Sequence, residues 1–564
     1  MGREKRSRYI ADCAFGEHCF AERLSVLLLF LYFSVHLPYL RLDIQKNAKP
    51  YYGGGAQRNQ KPLRYPPYAR FHPACKIRRK QIDRRAYNHV YQIFSMAPAV
   101  AAGHVYEARL WQIAEGIKLG FRTDAAGMVF ACIASFLWIL TSVYSIGYMR
   151  GHHEKNQTGY FAAFAVCVGS ALGIALAANL MTFFIFYEML TIATYPLVAH
   201  GRDATAKSSG RKYLAYTLIS GQLFFAAICA IYLLCGSGEF EAGGFLAKKA
   251  GAALPSDAVL CLLFLMMIVG GAVKAGVMPL HGWLPSAMVA PTPVSALLHA
   301  VAVVKAGAFC VLRVVCYVFG PQLSIACGGA KILVWAAAFT IIVSSLIALK
   351  KDNLKARLAF STVGQLSYIV MGIAVCAQAS IAGAIFHMVA HAFLKITLFM
   401  CAGAIFVTTG LSEISTMRGL AKRMPVTMTC FTIASLGIAG LPLMAGFVSK
   451  FNLIRGILAM GQPFFAVVLV AAALLALSYL MPVARIVFDG GEGAGGSSPR
   501  PSLDTHGYAD PARGDAAPAM RLPLVLTTIA AVLLGCVPNA GPRLYALAQM
   551  AAAAVTGGGG GFAG

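Results

Sequence analysis

The chain has 564 residues, 58% of them hydrophobic and 12% charged, about half the charged share of an average soluble domain. That composition excludes a soluble globular protein. The basic excess, 48 Lys/Arg against 22 Asp/Glu, is split between residues 1–95, with 18 basic and 6 acidic residues, and short breaks between apolar runs. This distribution fits the loops of a membrane protein and argues against nucleic acid as a partner.

Residues 1–123 read as a basic N-terminal region. Arg3, Lys5, Arg6 and Arg8 precede an apolar run from Leu24 to Leu40, long enough for one helix. A signal-peptide core is the other reading of that run, but no small-residue cleavage site follows it. The Tyr/Pro/Arg-rich stretch beyond reads as a basic segment on the membrane surface or as an upstream extension.

From Asp124 the pattern becomes regular. Apolar runs fall near 125–148, 160–178, 180–199, 212–235, 258–279, 293–318, 326–349, 355–377, 380–408, 425–460, 463–487 and 522–540. In lipid the backbone must satisfy its own hydrogen bonds, so these runs predict helices, and the alternation of a transmembrane barrel is missing. The expected fold is an all-α polytopic membrane protein of about 12–14 transmembrane helices. A core spans 124–488. Residues 489–520, rich in Gly, Pro, Ser and charge, read as a flexible cytoplasmic linker, and 521–564 as a last helix with a Gly-rich tail.

With these spans, Arg150/Lys155, Arg202/Lys207/Arg211/Lys212, Lys350/Lys351/Lys355/Arg357 and Arg418/Lys422/Arg423 all fall on one face. The positive-inside rule makes that face cytoplasmic.

The 15 cysteines include no Cys-x-x-Cys and lie mostly within apolar runs, where thiols act as small hydrophobes. No disulfide framework, iron–sulfur site, nucleotide loop, haem or flavin signature is present, so no cofactor is expected.

Two spans are interrupted. Pro279 and Pro285 break one, Gly440 and Pro442 the other, and Met278-Pro279-Leu280 and Leu441-Pro442-Leu443 match. Paired broken helices point to a transport site between inverted repeats; the plainer reading is that Gly and Pro are common in transmembrane helices.

Charges deep in the bilayer are costly and cluster at functional sites. Away from the ends of the runs, the acid is Glu188 and the embedded bases are read as Lys274, Lys305, Lys395 and Lys450, with His387 and His391. Glu188 with Lys274 is the expected pair, with Lys305 the neighbouring acceptor and Lys450 the site of the second half. A buried amine beside a movable partner is a proton switch. Ser295, Ser361, Thr397 and Ser449 are candidate hydroxyls along the path. His387, His391 and Lys395 share one helix face at i, i+4 and i+8. A lysine there repels a cation and no third ligand is near, so a proton relay is expected rather than a metal. Interhelical hydrogen bonding is the structural alternative.

Six ordered motifs carry a family resemblance: Phe186 to Val198, Val273 to Met288, Ala290 to Ala300, Asp352 to Lys355 with Ala359 to Thr362, Phe386 to Lys395, and Gly440 to Phe447 with Lys450. They resemble the antiporter-like subunits of respiratory complex I and of Mrp-type cation/proton antiporters. The resemblance implies about 14 helices, two inverted five-helix repeats that each form a half-channel, and proton translocation through Glu188, Lys274, Lys305, His387, His391, Lys395 and Lys450. It also implies a hetero-oligomeric complex in the cell inner membrane, moving H⁺ and either Na⁺ or K⁺. Family members begin with two helices before the run at 125–148, where this chain offers one. No long lateral helix follows the last span, so the D-type subunit of Mrp antiporters is the first expectation. A proton-pumping subunit of an NADH:quinone oxidoreductase or related redox complex is the second, and a passive scaffold the third.

Overall fold

The computed structural model describes residues 90–114, 117–152, 154, 156–248, 255–489 and 514–557. The run Leu24–Leu40, the basic start, most of the 489–520 segment and the Gly-rich tail lie outside these residues.

Helix α1 (Val90–Ala101) leads into an antiparallel hairpin, β1 (Glu107–Ala114) and β2 (Ile117–Arg122). Then follow α2 (Ala125–Gly151), α3 (Gln157–Leu176), α4 (Leu180–Val198), α5 (Ala204–Cys235) and α6 (Asp257–Ala275). After a break come α7 (Thr292–Ala300) and α8 (Val303–Arg313), the latter prolonged by a π-helical turn, Val314–Phe319. The second half comprises α9 (Gly329–Leu349), α10 (Leu354–Ala374), α11 (Gln378–Thr409), α12 (Pro425–Ala439), α13 (Ala445–Ala459) and α14 (Pro463–Phe488). Last come α15 (Pro518–Cys536) and α16 (Ala540–Thr556).

Ten candidate membrane spans occur among the described residues, and the chain is an integral multi-pass membrane protein. The 425–460 run resolves into α12 and α13, as its Gly and Pro residues predict. Three features differ from the sequence reading. The hairpin was not foreseen; Asn179 Nδ2 donates to the Lys118 carbonyl at 2.8 Å and fixes it to the turn before α4. Helix α5 starts at Ala204 rather than near 212, because Asp203 accepts a capping bond from the Ala206 N–H; its basic first turns belong to the helix. Helix α16 lies between the last predicted run, 522–540, and the Gly-rich tail, where no second helix was expected. It buries Leu547 and Ala548, and Tyr545 donates to Asn452 Oδ1 at 3.2 Å.

The inverted repeat is visible in the helix ends. The Asn179 side chain caps α4, accepting from the Thr182 N–H at 2.8 Å, and α5 ends at Gly236 in the left-handed region. Glu239 then forms a β-bridge back to Asn179. In the second half Asn353 caps α10, accepting from the Ala356 N–H at 3.1 Å, α11 ends at left-handed Gly410, and Glu413 bridges back to Asn353. The intervals 179–236–239 and 353–410–413 are equal in length, so one sequence offset aligns the two helix pairs without a gap. An odd number of crossings separates Asn179 from Asn353, and they therefore sit on opposite faces.

The N-terminus of α12 has an unusual cap. Orphan N–H groups at a helix start need acceptors, and those of Val426 and Thr427 donate to Asp515, at 2.8 and 3.1 Å. Asp515 stands just ahead of α15.

Candidate functional site

The four lysines read from the sequence are all buried, Lys274, Lys305 and Lys395 at 0% exposure and Lys450 at 6%. None reaches an aqueous surface. An ammonium in this setting needs acceptors or a counterion, and each lysine finds a different solution.

Lys274 lies in the last turn of α6, just before Gly276 turns the chain with φ +72°. Its Nζ donates to the Tyr187 carbonyl at 2.7 Å and sits 3.1 Å from the centroid of the Tyr187 ring, a cation–π contact. Glu188 is next along α4, yet no carboxylate–Nζ contact within 4 Å joins it to Lys274. The expected pair are neighbours without being an ion pair, because the adjacent tyrosine holds the amine. Both Glu188 oxygens are buried and without a hydrogen-bond partner among the described residues.

Lys305 on α8 meets His391 on α11, with Nζ and Nδ1 2.5 Å apart. This contact joins the two halves. One turn away along α11, His387 is held at both ring nitrogens: Nδ1 lies 2.8 Å from Ser449 Oγ on α13, and Nε2 3.2 Å from Gln365 Oε1 on α10. Its ring also stacks on Tyr368. Lys395, one turn beyond His391 in the other direction, donates to Ser361 Oγ at 2.6 Å and to the Leu358 carbonyl at 3.3 Å. Ser361 in turn contacts the Tyr479 hydroxyl at 2.8 Å. The three groups on α11 thus face three different partners, the ring centroids of His387 and His391 lying 6.2 Å apart.

Lys450 lies beyond the second break. Gly440 ends α12 with φ +95°, leaving carbonyls at the negative end of the helix dipole. Lys450 Nζ donates to two of them, Ile438 O at 2.6 Å and Ala439 O at 3.1 Å, and lies 5.0 Å from the Tyr368 ring. At the first break an indole does the corresponding work: Trp283 Nε1 donates to the Val273 carbonyl at 2.7 Å. Pro279 lies in the non-helical stretch and Pro285 in a short helix, Trp283–Ser286, while Pro442 lies two residues past Gly440.

Among the candidate hydroxyls, Ser361 and Ser449 touch the file. Thr397 bonds instead to Thr527 on α15 at 2.7 Å, and Ser295 Oγ is buried with no partner among the described residues. Sequence reasoning missed Tyr187, Gln365 and Tyr368, which are uncharged and lie in ordinary apolar runs. It also missed Arg313, 1% exposed at the end of α8, whose guanidinium meets Asp124 at 2.6 Å. Among the described residues no group of three or more metal-ligating side chains converges.

Comparison with known proteins gives a consistent answer. Residues 177–476 match the family described as NADH:quinone oxidoreductase/Mrp antiporter, TM. The A/B subunit of a probable K⁺/H⁺ antiporter of Rhizobium meliloti (strain 1021) is 32% identical over 359 residues, 63% of this chain and 34% of that protein. NADH-quinone oxidoreductase subunit N of Desulforudis audaxviator (strain MP104C) is 32% identical over 385 residues, 66% of this chain and 73% of that one. The chain therefore spans about a third of one relative's length and nearly three quarters of the other's. A chain of the Mrp complex from Dietzia sp. DQ12-45-1b has the same fold, with a TM-score of 0.74 over 86% of this chain and 93% of that chain, at 22% identity.

Proposed function

Because this chain belongs to the NADH:quinone oxidoreductase/Mrp antiporter transmembrane family, we propose that it is the proton-translocating subunit of a multisubunit membrane assembly that exchanges Na⁺ or K⁺ for H⁺. Its partners are the other subunits, and its basic face is cytoplasmic. The D-type subunit of Mrp antiporters and the cell inner membrane belong to the same proposal.

The observation that carries it is the Lys305–His391 contact, 2.5 Å in a fully buried setting. An ammonium and an imidazolium cannot share that distance without strong repulsion, so the pair carries at most one charge. With Lys305 charged, Nδ1 of His391 is the acceptor; when the proton crosses, the amine becomes neutral and the ring carries the charge. Glu188 and Lys274 lie on one side of this exchange, and His387, Ser449 and Lys450 on the other. Lys395 with Ser361 forms a branch toward Tyr479. Four buried amines and one carboxyl, with no fixed counterion among the described residues, are hard to reconcile with a static scaffold.

Proton flux in membrane vesicles carrying the assembled complex tests this. Lys305→Met is expected to lower flux at least ~100-fold, about 2.7 kcal/mol in the barrier, with assembly intact. Unchanged flux would refute the proposal. A redox-driven complex is the second reading, favoured by the extent of the match to the oxidoreductase subunit. Co-purification separates the two: small antiporter subunits support the first, and NADH- or iron–sulfur-bearing subunits the second.

A further inference from the structure

The two halves hold opposite charges at related places, and one glycine makes that possible. The offset that brings Asn179 onto Asn353 and Gly236 onto Gly410 also brings Gly221 on α5 onto Lys395 on α11. It brings Glu188 onto Thr362, and Tyr187 onto Ser361, the residue that holds Lys395. In the second half a long amine from α11 reaches α10. In the first half the polarity of the arrangement is reversed, and a carboxylate from α4 reaches across to α5.

A Cβ at Gly221 would lie 2.5 Å from Glu188 Oε1, 3.0 Å from Cδ and 3.3 Å from Oε2. The carboxylate therefore rests against bare backbone, in space that any side chain would fill. Within a helix, glycine is disfavoured relative to alanine by roughly 0.5–1 kcal/mol, so a mid-helix glycine here has a packing reason. Since the clashing atoms are the far end of a flexible side chain, a substitution moves the carboxylate and leaves the helix pair in place.

We infer that Gly221 is a positioning residue that fixes where the Glu188 carboxyl stands, and so sets its distance from Lys274. This inference rests on the proposed proton-translocating role of Glu188.

The test is proton flux in vesicles carrying the assembled complex, with Gly221→Ala, Glu188→Asp, the double variant and Glu188→Gln compared at matched expression. Gly221→Ala is expected to lower flux about tenfold, and Glu188→Asp alone to lower it as well. Asp is one methylene shorter and withdraws the carboxyl from the added methyl. The double variant is therefore expected to exceed Gly221→Ala several-fold, a rescue that a purely structural glycine would not give. Wild-type flux in Gly221→Ala, or a double variant no better than the poorer single one, overturns the inference. If Glu188→Gln retains full flux, the proposed role of Glu188 fails, whatever Gly221 shows. If Glu188→Gln abolishes flux while Gly221→Ala is silent, the glycine's role alone fails.

Discussion

The first and second halves share a frame and solve the buried-charge problem differently. In the first, Lys274 precedes the helix break, uses the carbonyl and ring of Tyr187, and has a carboxylate close by. In the second, Lys450 follows the break and is held by the carbonyl end of α12; neither lysine has an acid within ion-pair distance among the described residues. Helix breakage thus does two jobs. In one half it ends a helix just past its lysine; in the other the exposed carbonyls themselves become the lysine's partners. The bridge between these dissimilar halves is Lys305 with His391.

The strongest way to break this comparison is at the bridge. His391→Phe keeps the aromatic bulk and removes Nδ1, and flux is expected to fall about as far as in Lys305→Met, ~100-fold or more. Retained flux would mean that the halves work independently.

Next, the two broken-helix lysines should differ in stability rather than in flux. Lys450→Met leaves Ile438 O and Ala439 O without their donor, whereas Lys274→Met frees one carbonyl and a ring face. Both variants are expected to lower flux at least about tenfold. Lys450→Met is also expected to destabilise the protein by about 1–3 kcal/mol, read as a lower midpoint in thermal unfolding of the purified complex. Equal melting of the two variants would remove the distinction drawn above.

The second half also holds His387 at both nitrogens, and this can be sharpened by removing one partner at a time. Ser449→Ala takes away the Nδ1 contact and is expected to lower flux about three- to tenfold, near the worth of one hydrogen bond. Gln365→Leu should do the same through Nε2, and the pair together should exceed either alone.

The smallest effect lies outside the membrane. On the basic face, His152 and then His200 contact Glu154 and hold its carboxyl down at about 2. A depressed folded value stabilises above the unfolded carboxyl range near 4.5 and loses that contribution as pH falls toward 2. Glu154→Gln should therefore melt slightly earlier than the wild type at about pH 6, with the difference vanishing near pH 2. The group is partly exposed, so the shift should be a few degrees at most. A difference that grows with acidity would contradict the assignment.

Much of this organisation is legible before any coordinates. Hydropathy locates the spans because lipid leaves the backbone no alternative to helix, and Pro279, Gly440 and Pro442 announce the interruptions. The buried lysines stand out because charge is rare in such runs. Which atoms meet was not legible. Glu188 and Tyr187 are adjacent in sequence, and only side-chain packing gives Lys274 to the tyrosine instead of the acid. The hairpin at 107–122 has no clean alternation, and its strands carry two register shifts. Helix α16 is largely alanine, short, and opened by Gly541 and Pro542, so it lacked both the hydropathy and the start signal of a span. Gly221 could have been found from the equal spacing of Asn179–Glu239 and Asn353–Glu413, but that spacing carries meaning only once the asparagines are known to be caps.

The cap on α12 has a mechanical corollary. A helix that borrows its first acceptors from a residue near the end of the chain is tethered there, and Asp515 is pinned by the backbone of Val426 and Thr427 while leading directly into α15. A tilt of α12 would therefore be transmitted through Asp515 to α15, so the two helices are mechanically linked at this end.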